Sequence, residues 1–375
     1  MSVDDLVVVG GGPAGLAAAI AARQRELTVR VLDRRRPPID KPCGEGLMPD
    51  GLTALSRLGI PLSDSDGQPF RGIRYIDSRS IAAGRFPGRP GLGVRRTTLH
   101  RRLVERAHEV GVTLEWERRV TGMTREGVDT DDGPREARWI VGADGLLSSI
   151  RRWAGLAGPP SRRRRFGVRR HYRLEPWSDR VEVYWGDRLE AYVTPVAPDE
   201  VGVALLWSAR KAGFDELLAS LPLLERRLAG ASTCSTDRGV GPLRQRVRAA
   251  AKGSVALIGD AAGYVDAITG EGLSLAFHQA HALTRALERR DLSLYRQDCR
   301  RLARRPDAMT GLLLFVERRP VLRRRLLTLL AERPSLFDRL LAVHCRERPV
   351  SSVGVRGFLE LGLTLVPPIR PVGRV

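Results

Sequence analysis

A short apolar run, Leu6-Val7-Val8-Val9, leads straight into Gly10-Gly11-Gly12-Pro13-Ala14-Gly15. Leu16 to Arg25 follows with five alanines and no breaker, and reads as a helix. Strand, glycine turn and helix in this order form a dinucleotide-binding fingerprint, with its glycines at 10, 12 and 15. Gly10 permits the tight turn, Gly12 lets backbone approach a pyrophosphate, and Gly15 lets helix pack closely on strand. Pro13 and Ala14 complete the turn before the helix, whose free N–H groups and positive dipole end suit phosphate. Thr28 to Leu32 is a second strand ending at Asp33. That places an acid at roughly the 20-residue spacing where a carboxylate takes ribose hydroxyls.

A chain of 375 residues can bury a large core and organise two or three domains. Its net charge is +20, with a sequence pI near 11.1. Only Lys41, Lys211 and Lys252 are lysines, so arginine carries nearly all the positive charge. It is spread along the chain, with local runs at Arg162 to Arg165 and Arg323 to Arg325. No zinc finger, helix-turn-helix or aromatic ladder accompanies it, which excludes a nucleic-acid role. Cys43, Cys234, Cys299 and Cys345 form no CxxC pair and read as reduced, cytoplasmic thiols. His100, His108 and His171 have no metal-ligand spacing, so no metal is expected. Asp4 and Asp5 stand where a secretory leader would be basic, and no apolar stretch is long enough to span a bilayer.

Further along, Arg34 to Gly51 is a Pro/Gly-rich loop that carries Lys41-Pro42-Cys43-Gly44-Glu45-Gly46. Phe70 to Phe86 has β character, and Leu99, Leu103, Val104 and Ala107 recur at helical spacing. Ala137 to Val141 is a strand that enters Gly142-Ala143-Asp144-Gly145. Alternation from Phe166 to Trp207 argues for an antiparallel sheet. Phe214 to Leu228 reads as one amphipathic helix. Gly253 to Ile258 is a strand that enters Gly259-Asp260-Ala261-Ala262-Gly263, and a long helix runs from about Gly272 to Arg289. From Leu294 the pattern is helical, with leucine runs alternating with basic clusters. An apolar stretch from Phe358 is broken by Pro367-Pro368.

Three separated segments thus share a strand followed by a glycine turn with an acid: Gly10 to Gly15 with Asp33, Asp144, and Asp260. With Gly270-Glu271-Gly272-Leu273, this order resembles the FAD-dependent flavoprotein monooxygenases and the geranylgeranyl reductases. The resemblance covers Val3 to about Leu287. It implies that Gly10, Gly12, Pro13, Ala14, Gly15, Asp33 and Arg34 hold the adenosine and pyrophosphate end of FAD. It implies that Asp144 belongs to the central Asp-Gly site, that Gly259 and Asp260 meet the ribityl chain, and that Arg96 serves the phosphate–ribityl region. It places Cys43, Gly44 and Gly270 to Leu273 beside the flavin ring, whose reduced N1/C2 edge a helix N-terminus at Gly272 would stabilise. Cys43 and Glu45 are the candidate catalytic groups, or equally the small residue and loop acid of a structural turn. His278 and His281 read as packing residues.

The implied fold is α/β: a Rossmann-like FAD-binding domain (1–69, 92–165 and 250–292) interrupted by an antiparallel-sheet substrate domain (70–91 and 166–249). A C-terminal helical region (293–375) follows. The leading functional expectation is an FAD-dependent monooxygenase with NAD(P)H as transient reductant and a hydrophobic aromatic or polyketide-like substrate. The alternative is a reductase of isoprenoid double bonds. Loop wording at Lys41 to Gly46 and Thr269 to Gly272 is similar to the reductase branch. Of that branch's Tyr-x-Trp-x-Phe-Pro signature, however, Tyr192 to Pro195 keeps only the tyrosine and the proline. A non-catalytic nucleotide-binding or membrane-surface adaptor is the remaining class. The basic C-terminal helices either cover the core with solvated arginines or make peripheral contact with an anionic membrane.

Overall fold

The computed structural model describes residues 3–161, 164–208 and 212–365. Arg162, Arg163, Lys211 and the Pro367-Pro368 break lie outside the described residues. Leu6, Val7 and Val8 are fully buried, as expected of a strand with covered faces. Their strand, Asp4–Val9, pairs in parallel with Gly133–Gly142 on one side and Val29–Asp33 on the other. Val255–Leu257 and Thr113–Trp116 extend this sheet in parallel at either side. The helix Pro13–Arg23 packs on the helix Gly272–Glu288, and its buried alanines let the two approach.

Gly133–Gly142 serves two partners in succession. Its first half closes a hairpin with Gly127–Thr130, and its second half enters the parallel sheet. Register then brings three strand ends level: Val9 lies opposite Gly142, and Gly142 opposite Leu257. The three glycine–acid turns therefore emerge side by side at one edge, where open α/β sheets bind ligands.

The second sheet contains Arg165–Arg173, Glu200–Ser208, Leu189–Ala197, Val181–Trp185, Gly72–Ile76 and Ile81–Arg85, in that spatial order. Its pairings are antiparallel except Val181–Trp185 with Gly72–Ile76, which run parallel because those strands come from separate passes of the chain. The expected helix from Phe214 to Leu228 is instead two, Phe214–Ala219 and Pro222–Leu228. Pro222 cannot donate to the preceding turn, so it starts the second helix.

Among the described residues, four α-helices follow residue 291: Leu292–Glu317, Pro320–Glu332, Pro334–His344 and Gly354–Leu365. The second and third lie against the edge strand Ile81–Arg85, where Gly84 leaves room for Phe337 and Leu341. Arg85 N–H donates to Asp338 Oδ1 (2.7 Å), and the Arg323 guanidinium donates to the Gly186 carbonyl (2.5 Å). Phe70, Ile73, Val181, Val183 and Trp185 share a core with Leu326, Leu327, Leu330 and Phe337.

Candidate active site

The first turn is shaped by close approaches. Gly10 has φ +116°, and a Cβ there would fall 2.4 Å from the Ala143 carbonyl oxygen. A Cβ on Gly15 would fall 1.9 Å from the Gly10 carbonyl oxygen. At Gly12 the nearest atom to a Cβ would be the Arg96 guanidinium, 3.8 Å away. Two glycines are thus consumed by packing, while the third leaves open space beside a helix N-terminus. Asp33 Oδ2 accepts from Gly11 N–H (2.8 Å) and Oδ1 from Arg35 N–H (2.9 Å). His100 Nε2 meets the Gly11 carbonyl at 2.8 Å, bracing the turn from the other side.

The second and third turns are clamped together by Arg151. Its guanidinium donates to the carbonyls of Leu146 (2.6 Å), Asp260 (3.2 Å) and Ala261 (3.1 Å), and to Gln245 Oε1 (3.1 Å). Asp144 Oδ2 accepts the N–H groups of Ser149 (2.6 Å) and Ile150 (3.3 Å), while Oδ1 is buried with no partner. Gln279 Oε1 accepts Gly259 N–H (2.8 Å), fixing the short 3-10 turn Gly259–Ala262. Asp260 is open to the cleft by surface area yet enclosed by protein. That enclosure raises its carboxyl pKa, opposed by Arg96, Lys41 and Arg151.

The stretch from Arg34 to Met48 supplies the third wall; the expected loop ends short of Gly51 because Pro49, fitted to a first helical turn, starts the helix Pro49–Ser56. Enclosure pushes the Cys43 thiol upward despite the nearby Arg96 charge, so it stays protonated at neutral pH. Burial lowers the Lys41 ammonium, and Arg96 acts in the same direction. Glu45, at φ +59° and buried, is engaged at both oxygens. Oε1 accepts Arg96 N–H (2.7 Å), and Oε2 lies 2.5 Å from His171 Nε2. The Arg169 guanidinium, which can only donate, lies 2.9 Å from His171 Nδ1. Nδ1 is therefore the acceptor, and Nε2–H donates to Glu45. Glu45 thus fastens the loop to the start of the helix Arg96–Glu109 and to the second sheet.

These parts enclose one continuous cavity of about 1260 Å³. That exceeds the roughly 300–1,000 Å³ of an ordinary small-molecule pocket, leaving room for a second ligand. One end is bordered by Gly12, Pro13, Ala14, Arg34, Lys41, Cys43, Gly44, Glu45, Arg96, Asp144, Gly259, Asp260, Gly270, Gly272 and Leu273. Gly10, Gly15, Asp33 and Glu271 do not border it. The Glu271 carboxylate lies 3.5 Å from His344 Nδ1, and burial raises its pKa. The other end is an apolar chamber. Ile73, Tyr75, Val181, Val183 and Trp185 of the second sheet face Met309, Leu313, Leu326, Leu330, Phe337 and Leu341 of the C-terminal helices.

Residues 3–204, more than half of the chain, match the FAD binding domain family. The chain belongs to this family. It is 30% identical to a menaquinone reductase of Mycobacterium tuberculosis over 331 residues, covering 78% of this chain and 79% of that protein. It is 31% identical to digeranylgeranylglycerophospholipid reductase 1 of Methanopyrus kandleri, covering 72% and 77%. Among solved structures it superposes on a flavoprotein/dehydrogenase from Cytophaga hutchinsonii with a TM-score of 0.78 at 18% identity, covering 91% and 92%.

The residues at the polar end fit FAD. Gly12 offers space for a pyrophosphate, and Arg34, Lys41 and Arg96 surround the cleft with positive charge. Asp144 Oδ1 and Arg96 Nε are buried without protein partners. No atom lies within 4 Å of a Cβ built on Gly44, and the nearest to one on Gly270 is Met48 at 3.6 Å, so a flat ring can approach backbone there. Sequence reasoning did not single out Arg151 or Gln279. Ser148 capping the helix Ser149–Trp153 was a local signal for that turn, but the carbonyls that Arg151 holds are remote in sequence. His278 and His281 tie the long helix to its neighbour: His278 lies 3.3 Å from Asp50 and His281 3.0 Å from the Ala54 carbonyl. Among the described residues, no group of three or more His, Cys, Asp or Glu could hold a metal ion.

Proposed function

We propose that this FAD-dependent oxidoreductase is a monooxygenase that hydroxylates a hydrophobic aromatic or polyketide-like molecule with an extended apolar portion, using NAD(P)H as transient reductant. One observation carries the reading: the cavity runs without a break from the dinucleotide turns into an apolar chamber. When bound, the flavin supplies two-electron transfer and oxygen activation. Substrate, O₂, NAD(P)H and a proton become hydroxylated substrate, water and NAD(P)⁺. The chain's own part is to position substrate and exclude water. The sheet and helices hold the apolar portion, and Gly44, Gly270 and Gly272 bring backbone up to the reacting end. With one dinucleotide fingerprint in the sequence, the nicotinamide cosubstrate visits without a domain of its own.

A second reading is reduction of an isoprenoid double bond. The names of the two reductase relatives favour it, and so does the protonated Cys43 thiol on the cavity wall. Alkene reduction requires a proton donor beside the reacting carbon, whereas hydroxylation does not. The deciding experiment is turnover of FAD-loaded protein with NADH or NADPH and a candidate substrate, with and without oxygen. Monooxygenation consumes O₂ in step with product and stops under anaerobic conditions. Product made without oxygen overturns the first reading in favour of the second. Protein that stays colourless with added FAD overturns both.

A further inference from the structure

We propose that the helix Gly354–Leu365 is a docking face for an anionic lipid bilayer, lying on its surface at the mouth of the apolar chamber. Arg356, Glu360 and Thr364 recur every fourth residue and form one stripe. That stripe is satisfied within the protein. Arg356 pairs with Glu360 at 3.1 Å, Arg333 approaches Glu360 at 3.8 Å, and Thr364 Oγ1 donates to the Glu360 carbonyl at 2.7 Å. A second stripe turns inward, with Gly357 against Leu336 and Leu361 on the same core. Among the described residues nothing covers the third: Val355 is 79% exposed, Leu359 61% and Leu363 76%. Folded chains rarely leave a contiguous apolar stripe in water, and such a stripe marks an interaction surface.

Two observations identify its occupant. Phe358, Leu361 and Leu365 of the same helix line the chamber, so the uncovered stripe adjoins the chamber wall. A ligand suited to that chamber partitions into lipid, and delivery from a bilayer spares it passage through water. Charge supplies the second argument. The chain carries +20, and Arg324 is exposed on the neighbouring helix Pro320–Glu332. A second copy would bring the same charge against the face, whereas an anionic headgroup layer complements it. Among the described residues no helix is long and apolar enough to cross a membrane, which fits a helix lying on the surface. Delivery of ligand from the bilayer rests on the function proposed above; docking itself does not.

The test is flotation of the full chain, FAD-loaded, with vesicles of phosphatidylcholine alone or mixed with phosphatidylglycerol, at low and high salt. Protein should float with the anionic vesicles at low salt and be released from them by high salt. Leu359→Ser with Leu363→Ser should lower the bound fraction about tenfold at unchanged flavin content. Arg324→Glu should weaken binding to anionic vesicles and leave flavin content unchanged. No flotation at low salt overturns the proposal, and so does flotation that the leucine pair does not affect. A dimer in solution that the leucine pair dissociates overturns it in favour of a second copy. Oxygen consumption with a short, water-soluble substrate is read separately, so failure to dock remains distinct from failure of the monooxygenase reading.

Discussion

Arg165 and Glu190 are both buried, and Asp266 and Glu317 join them from other elements. The Arg165 guanidinium lies 3.5 Å from Glu190, 3.2 Å from Asp266 and 3.7 Å from Glu317. Even with Arg318 also acting on Asp266, this positive charge does not offset three desolvated carboxylates. Tyr192 shows how the cluster resolves this. Its hydroxyl lies 2.8 Å from both Glu190 Oε2 and the Ile268 carbonyl, but it has one proton to give. A protonated Glu190 donates to Tyr192, which then donates to Ile268. Burial pushes the Glu190 carboxyl up to about 7 against the pull of Arg165. The unfolded value is about 4.3, so between these values the folded chain retains a proton that the unfolded chain releases. The stability this contributes is complete below about pH 4.3 and is lost as pH rises through 7. Glu190→Gln cannot ionise, so its melting temperature should gain on that of the native chain by roughly 3 °C between pH 5 and pH 8. A difference independent of pH in paired thermal melts would show that Glu190 ionises normally.

At the scale of elements, the legible features were those encoded locally. The fingerprint turn, the parallel strands at Val29 and Ala137, and the three glycine–acid turns each declare themselves within a dozen residues. The break at Pro222 was also visible, but the leucines on either side suggested one continuous period. Arg151 was hidden for a different reason: its partners are backbone carbonyls, which every residue carries. The chamber was hidden because Leu312 to Val316 and Leu326 to Leu330 have the composition of ordinary core. Only the tertiary arrangement leaves Leu313 and Leu330 lining space. Leu313 is half-buried, so a larger ring there fills the chamber with little effect on the helix. Leu313→Trp should raise KM for a long-chain substrate at least about tenfold and leave a short-chain analogue and the flavin content unchanged. Steady-state kinetics on a chain-length series checks this; equal effects on short and long substrates would detach the chamber from the apolar portion.

For the whole molecule, the cofactor cleft is also a fastening. It joins the first strand's turn, the Arg34–Met48 stretch, the Asp144 turn, the Asp260 turn and the start of the Gly272–Glu288 helix, and Glu45 links that assembly to the second sheet. Ligand that binds only the folded arrangement stabilises it by mass action, about 2.7 kcal/mol at a hundredfold excess over Kd. Titrating FAD into stripped protein should therefore raise the melting temperature by a few degrees in one transition shared by both sheets. Two separate transitions, with only one responding to FAD, would mean that the sheets melt independently.

The level strand ends at Val9, Gly142 and Leu257 also bear on how the protein is born. A ribosome adds about 5–20 residues per second, so the fingerprint turn leaves the tunnel on the order of ten seconds or more before the Asp260 turn exists. Once Gly133–Gly142 has emerged, its flank that will receive Val255–Leu257 is an open sheet edge for the rest of that interval. Vectorial synthesis thus leaves the nascent chain unable to grip its cofactor until its third quarter is made, and most exposed to chaperones and self-association just before then.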